Sequence, residues 1–273
     1  MNLAKINYIL KNNLVVRCLI KPYKDWNRKQ GLYRYSQTED SKRVLELKDA
    51  HEGKRCFIIG NGPSLRADDL DKLENEYTFG ANRIFNIYEQ TNWRPSYYIA
   101  VDPDFILSNI DNIKKCGADK MFISNACSVS NKPNNMIYIY EYSKFPINKW
   151  NDCNAVISGD VSKYFSIGYT VTFTAIQLAI YMGFKEIYLL GVDFDYSVVR
   201  DKRGKKFINK DKKDYFDGEK YYSTVLNYNS CLHSYQLAKK YCAQNGIQIL
   251  NATRGGKLNV FNRVDFDSIF MIN

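Results

Sequence analysis

The chain has 273 residues, 45% of them hydrophobic and 15% aromatic, with a formal net charge of +10. That length supports one large α/β domain with an appended arm or lid, and the apolar content excludes a disordered chain. No apolar run approaches the ~20 residues needed to cross a bilayer. The N-terminus lacks the small-residue cleavage site of a secretory signal. Seven cysteines without a C-x-x-C pair indicate neither a zinc site nor a disulfide framework, so a reduced, cytoplasmic protein is expected.

Residues 1–50 read as an N-terminal helical arm and a polar, tyrosine-rich connector from Trp26 to Asp40. Near its start Ile6, Ile9, Leu10, Leu14, Val15, Leu19 and Ile20 mingle with Lys5, Lys11, Arg17, Lys21 and Lys24. Such a segment fits an amphipathic helix on an anionic membrane surface or a helix packed on the domain, and packing is the preferred reading. The remaining residues, 51–273, read as the main domain.

Cys56 to Ile59 is a short apolar run of the kind that makes a buried strand, and it stops at Gly60-Asn61-Gly62-Pro63-Ser64. A polar, acidic segment from Arg66 to Glu76 follows with helical spacing. A strand that ends in a tight glycine turn before a helix leaves backbone N–H groups at its carboxyl edge, where open α/β sheets bind phosphorylated ligands. Gly60 and Gly62 permit positive φ and close backbone approach. Pro63 can open the next turn without wasting a donor, and Ser64 offers a hydroxyl.

Further strands are expected at Tyr77 to Asn82, Tyr97 to Val101, Lys120 to Ser124, Met136 to Tyr140, Glu186 to Phe194 and Ile247 to Leu250. Helices are expected from Thr172 to Met182, stopped by Gly183, and from Asn229 to Asn245, stopped by Gly246. Alternating strands and helices predict an α/β fold: a Rossmann-like, mostly parallel sheet with helices on both faces. Residues 195–228 form a long lysine- and tyrosine-rich insertion. Its aromatic content argues against disorder, and it reads as a lid that orders over a ligand.

Two histidines are present. His51 sits in a charged linker and reads as exposed and idle. His233 opens the helix after the lid and is the candidate general base. Asp102-Pro103-Asp104 and Asp193-Phe194-Asp195 both follow strands. Each resembles the D-x-D that holds a metal on a nucleotide-sugar diphosphate, but the preferred reading has Asp102 and Asp193 accepting hydrogen bonds from ribose or loop backbone. The charge brings no RNP-type aromatic motif or helix-turn-helix, so no nucleic-acid partner is expected.

Gly60 to Leu65, the Asn82 loop and Gly183 to Phe194 resemble two related groups. One is the bacterial sialyltransferases that use CMP-activated nonulosonic acids. The other is the family sharing the domain of archaeal 6-hydroxymethylpterin diphosphokinase, which the carboxyl end from Asn251 to Leu258 resembles more. The resemblance implies that Gly60, Asn61, Gly62, Ser64 and Asn82 hold the nucleotide, and that His233 is the base. The resemblance also implies that Tyr196 and a second tyrosine, one of Tyr215, Tyr221, Tyr222 and Tyr228 with Tyr222 preferred, stabilise the leaving phosphate. Thr170 stands in the nucleotide-recognition loop, where the sialyltransferases' Thr-Ser-Gly reads Tyr169-Thr170-Val171-Thr172 here.

The resemblance thus implies metal-independent, inverting transfer of a sugar from a CMP-linked donor to a surface-glycan acceptor, with no resident cofactor or metal. The rival is a Mg/ATP diphosphokinase with the metal on Asp102, Asp104 or Asp193. A third reading is a non-catalytic scaffold docked through residues 1–50. Peripheral membrane contact through residues 1–30 and a homo-oligomer stay open.

Overall fold

The structure, a computed structural model, describes residues 14–142, 155–200, 206–209, 213–217 and 228–271. Eight strands form one parallel sheet: β1 (Arg55–Ile59), β2 (Tyr77–Ala81), β3 (Tyr97–Ala100), β4 (Lys120–Ser124), β5 (Met136–Ile139), β8 (Glu186–Leu190), β11 (Gln248–Asn251) and β12 (Asn262–Arg263). Their spatial order is β12-β11-β8-β1-β2-β3-β4-β5. The short strands β6 (Glu141–Tyr142) and β7 (Phe165–Ser166) pair beside it, and β9 (Val198–Arg200) with β10 (Lys206–Ile208) makes an antiparallel hairpin inside the insertion.

Strand side chains alternate between faces, and each face has its own core. Cys56, Ile58, Phe79, Ile99 and Leu189 pack on one side under helices α6 (Val171–Tyr181) and α7 (Tyr228–Gln244). Phe57, Ile59, Tyr98, Met121 and Leu190 pack on the other with Leu65, Leu70, Ile106, Ile113 and Phe266. The central strands are buried on both faces, as a parallel sheet requires. Helix α6 is buried at nearly every position, and Thr170 caps it by accepting the Thr172 N–H.

The expected strands and both long helices are present, with two informative differences. Strand β8 stops at Leu190 instead of Phe194 because Gly191, at φ 66°, turns the chain out of the sheet. The segment from Arg66 to Glu76 yields only the short helix α3 (Ala67–Asp71), whose Asp69 is drawn into a bidentate pair with Arg254 at 2.7 and 2.8 Å. Between β3 and β4 the chain forms α4 (Pro103–Ser108) and α5 (Ile110–Lys114). The arm supplies α1 (Leu14–Ser36) and α2 (Glu39–Leu45), the latter capped by Thr38. No helix among the described residues is long and apolar enough to cross a membrane.

His51 is not idle. Its Nε2 lies 2.6 Å from the Tyr97 hydroxyl, and its ring packs on Tyr77 and Phe184 with Nδ1 buried and unpartnered. Burial, then the neighbouring Lys54 ammonium, holds its pKa below the usual 6.5. The unfolded chain therefore binds a proton that the folded chain refuses, so this contribution to stability is present above about pH 6.5 and lost as pH falls. Denaturant titrations at stepwise pH should show stability falling as pH drops below that point. The His51→Phe variant should flatten that slope, and an unchanged slope would remove the assignment.

Candidate active site

Strands β2 to β5 run outward from β1 in one direction, while β8, β11 and β12 run outward in the other. The order therefore reverses between β1 and β8, the place where open α/β sheets open a crevice beyond their carboxyl ends. A cavity of about 320 Å³ lies there, lined from Gly60, Asn61 and Gly62 after β1, Asn82 after β2, Asp102 after β3 and Asp193 after β8. That volume falls at the lower end of small-molecule sites, ~300–1,000 Å³. A larger depression of about 490 Å³ around Asp71, Glu74 and Glu89 contains none of these residues.

The glycines allow two backbones to touch. A Cβ at Gly60 would collide with the Gly191 carbonyl, and one at Gly62 with the Asp193 carboxylate. The Gly60 N–H donates to Leu190 O at 2.8 Å and the Gly62 N–H to Gly191 O at 2.9 Å. The Ser64 hydroxyl donates to Asp193 Oδ2 at 2.7 Å, and its backbone supports the same carboxylate. The Gly60 and Gly62 amides thus bond to the end of β8, and the corner brings the two strand ends together.

Two asparagines supply the unmet polarity instead. Asn61 Nδ2 donates to Ala81 O at 2.9 Å, which orients the amide and leaves Oδ1 buried without a partner. Asn82 Oδ1 is likewise buried and unpartnered, on a residue held at φ 48° by Tyr98 donating to its carbonyl at 2.7 Å. An unmet buried acceptor costs ~1–3 kcal/mol. Backbone strain gathers here too: Asn82, Tyr169 and Phe194, all at the cavity wall, adopt left-handed φ values of 48°, 61° and 53°.

Helix α7 closes the far side with Tyr235, only 1% exposed, whose hydroxyl meets Thr170 and Thr172 and whose pKa burial pushes up to about 12. Tyr196 and Tyr215 also line the cavity, and burial raises both phenols, so each is a neutral donor at physiological pH. Asp214 and Tyr215 bring a described piece of the insertion, residues 213–217, to the cavity wall. The Phe216 N–H donates to Asn61 O at 3.0 Å, and Asn86 Nδ2 donates to Asp217 at 2.7 Å. His233 is exposed on α7 and does not line the cavity, whereas Tyr235, two positions along, does. Tyr221 and Tyr222 lie outside the described residues.

Five carboxylates border the cavity, and each has a local partner. Asp102 accepts the N–H groups of Asp104 and Phe105, Asp195 pairs with Lys257 at 3.1 Å, and Asp214 accepts from Ser197. Burial raises the pKa of Asp193, against the Ser64 hydrogen bonds. Burial also raises Glu141, on β6, to about 7, with nearby Asp102 adding to the rise and a Ser124 hydrogen bond opposing it. Glu141 and Tyr235 carry no motif in the sequence that would single them out. Among the described residues no three metal-ligating side chains converge.

Among curated proteins none matches the chain in sequence. In structure it is similar to the Maf glycosyltransferase of Magnetospirillum magneticum AMB-1, at 15% identity and a TM-score of 0.50 over 94% of this chain. The chain spans only 43% of that protein's length. It is also similar to the sialyltransferase CstII of Campylobacter jejuni, solved with cytidine-5′-monophosphate, at 17% identity and a TM-score of 0.40, over 79% of this chain and 86% of that one. At such identities the Maf likeness speaks for the α/β fold alone. The family model described as 6-hydroxymethylpterin diphosphokinase MptE-like matches residues 29–199, well over half of the sequence. This bears out the resemblance carried by Gly60 to Leu65: the chain belongs to the MptE-like family.

Proposed function

We propose that the protein is a cytoplasmic glycosyltransferase whose cleft binds a nucleotide-activated sugar, a CMP-linked nonulosonic or related acid, and passes the sugar to a surface-glycan acceptor without a metal. The observation that carries this reading is the pair of buried, unpartnered amide oxygens of Asn61 and Asn82 at the sheet's switch point. They await hydrogen-bond donors, and ribose hydroxyls or a base amino group supply them. Asp102, Thr170 and Asp193 border the same cavity.

In the reaction an acceptor hydroxyl attacks the anomeric carbon as the nucleotide phosphate departs, with inversion. The neutral phenols of Tyr196 and Tyr215 donate hydrogen bonds to the growing phosphate charge, in surroundings where such bonds are strong. The proton of the attacking hydroxyl needs a base within hydrogen-bond reach. His233 faces solvent, so the role passes to Glu141, whose pKa near neutrality suits it. A second reading, a Mg-dependent diphosphokinase acting on ATP, draws on the family match and on Asp102, Asp193 and Asp195 at the strand ends.

A thermal-shift screen of CMP, CDP, UDP and ATP, each with and without Mg²⁺, separates the two. The cytidine nucleotides should raise Tm by about 5–10 °C without metal at a hundredfold excess over Kd, and Gly62→Ala should abolish the shift. A shift with ATP alone, and only with Mg²⁺, would install the diphosphokinase, and no shift with any nucleotide would remove both.

Glu141 gives a pH test with a definite sign. As pH rises through about 7 the carboxyl ionises and adds negative charge to a site that must hold a phosphodiester. Calorimetric binding of CMP-sialic acid, whose phosphate does not titrate there, should weaken about tenfold from about pH 6 to 8. Glu141→Gln should bind equally at both ends and lose transfer, while His233→Ala keeps both. Retained transfer in Glu141→Gln would reject the assigned base.

A further inference from the structure

Helix α1 packs on the domain along one side. Tyr35, 4% exposed, donates from its hydroxyl to Tyr138 O at 2.9 Å and stacks on Tyr140, and a Cβ at Gly31 would strike the Tyr140 hydroxyl. Half-buried Arg28 and Leu32 lie on the same side. At about 100° per residue, these four residues span an arc of about 100°.

The opposite side carries Tyr23, Trp26 and Tyr33, which are 65%, 56% and 64% exposed. These three fall within about 80° of one another, centred about 180° from the packed side. Exposed Lys29 and Arg34 flank them. Over Leu14–Ser36 the helix has six basic residues and one acidic residue, Asp25.

We propose that this outward face of α1 seats on an anionic phospholipid bilayer. Tyrosine and tryptophan place an apolar ring and a polar tip at the headgroup boundary, and Lys29 and Arg34 meet the lipid phosphates. Two further observations favour lipid over a second copy of the chain. A copy would bring the same excess of positive charge against itself, and the whole protein carries +10, which an anionic surface attracts. Among the described side chains of α1, Tyr23, Trp26 and Tyr33 are also the large hydrophobic residues left exposed. This placement stands whether or not the cleft transfers sugar.

The test uses the full chain in co-sedimentation with vesicles of phosphatidylcholine alone or with added phosphatidylglycerol. The wild type should pellet with the anionic vesicles only, less so at high salt. The triple variant Tyr23→Ser, Trp26→Ser, Tyr33→Ser and the double variant Lys29→Glu, Arg34→Glu should each bind about tenfold more weakly. The triple variant should keep the wild-type Tm and nucleotide response, because Tyr23, Trp26 and Tyr33 lie off the packed side, whereas Arg34 interacts with Tyr140 and the double variant is judged by vesicle binding alone. Failure of the wild type to bind, or full binding by the triple variant, overturns the proposal. So does a wild-type dimer in light scattering that the triple variant dissolves, which would assign the face to a second copy.

Discussion

The meeting of the β1 and β8 ends at Gly60 and Gly191 sets the geometry of everything around the cleft. Two parallel strands can be neighbours anywhere in a sheet, but here their exits also touch, backbone against backbone. The Gly60 and Gly62 amides bond into the Leu190 and Gly191 carbonyls, and Gly191 turns at a φ of 66° that other residues rarely adopt. A single methyl group at Gly60 or Gly62 would wedge the exits apart. The closure is steric, and it fixes where the Asn61 amide and the Asp193 carboxylate stand relative to each other.

The carboxyl-terminal loop holds the second half of that arrangement. The Val192 N–H donates to Thr253 Oγ1 at 3.1 Å and the Lys257 N–H to Asp193 O at 2.6 Å, while Gly256, at φ 73°, packs on the Asp193 backbone. Arg254 ties the same loop to α3 and the chain end through Asp69 and Asp267, each gripped by two hydrogen bonds at 2.7–2.8 Å. Asp69 is 2% exposed, so removing the guanidinium would strand a buried carboxylate at a cost of about 3–5 kcal/mol. Distant segments of sequence thus converge to keep one acidic loop in place, and no single one of them would do so alone.

Much of this was legible in the chain. Short apolar runs ending in glycine or aspartate give the parallel sheet, because a strand buried on both faces must be apolar throughout and polar residues collect at its exits. The glycine corner was legible as a place, but its grip on β8 was not, since which carbonyl claims an amide depends on a partner strand far along the chain. His233 shows where local reading overreached. Buried Cys231, Tyr235, Ala238 and Cys242 recur at helical spacing along α7 and define its inward side, and His233 falls off it. That periodicity was in the sequence, and it points to Tyr235. Glu141 carried no such signal: its pKa comes from burial and from Ser124 and Asp102, which lie far from it in the chain.

The cleft that results favours hydrogen bonding over charge. Its phenols are held neutral by burial, its five carboxylates are committed to local partners, and its two asparagine oxygens are left without donors. Left-handed backbone at Asn82, Tyr169 and Phe194 adds a cost of order 1–3 kcal/mol at each, borne by the packed sheet behind. Such a surface discriminates by the pattern of donors and acceptors on a ligand, because each mismatch leaves a polar group unpaired in a dry site. On the proposed function, a CMP-linked sugar, dense in hydroxyls with one phosphate link, supplies the donors that this pattern calls for.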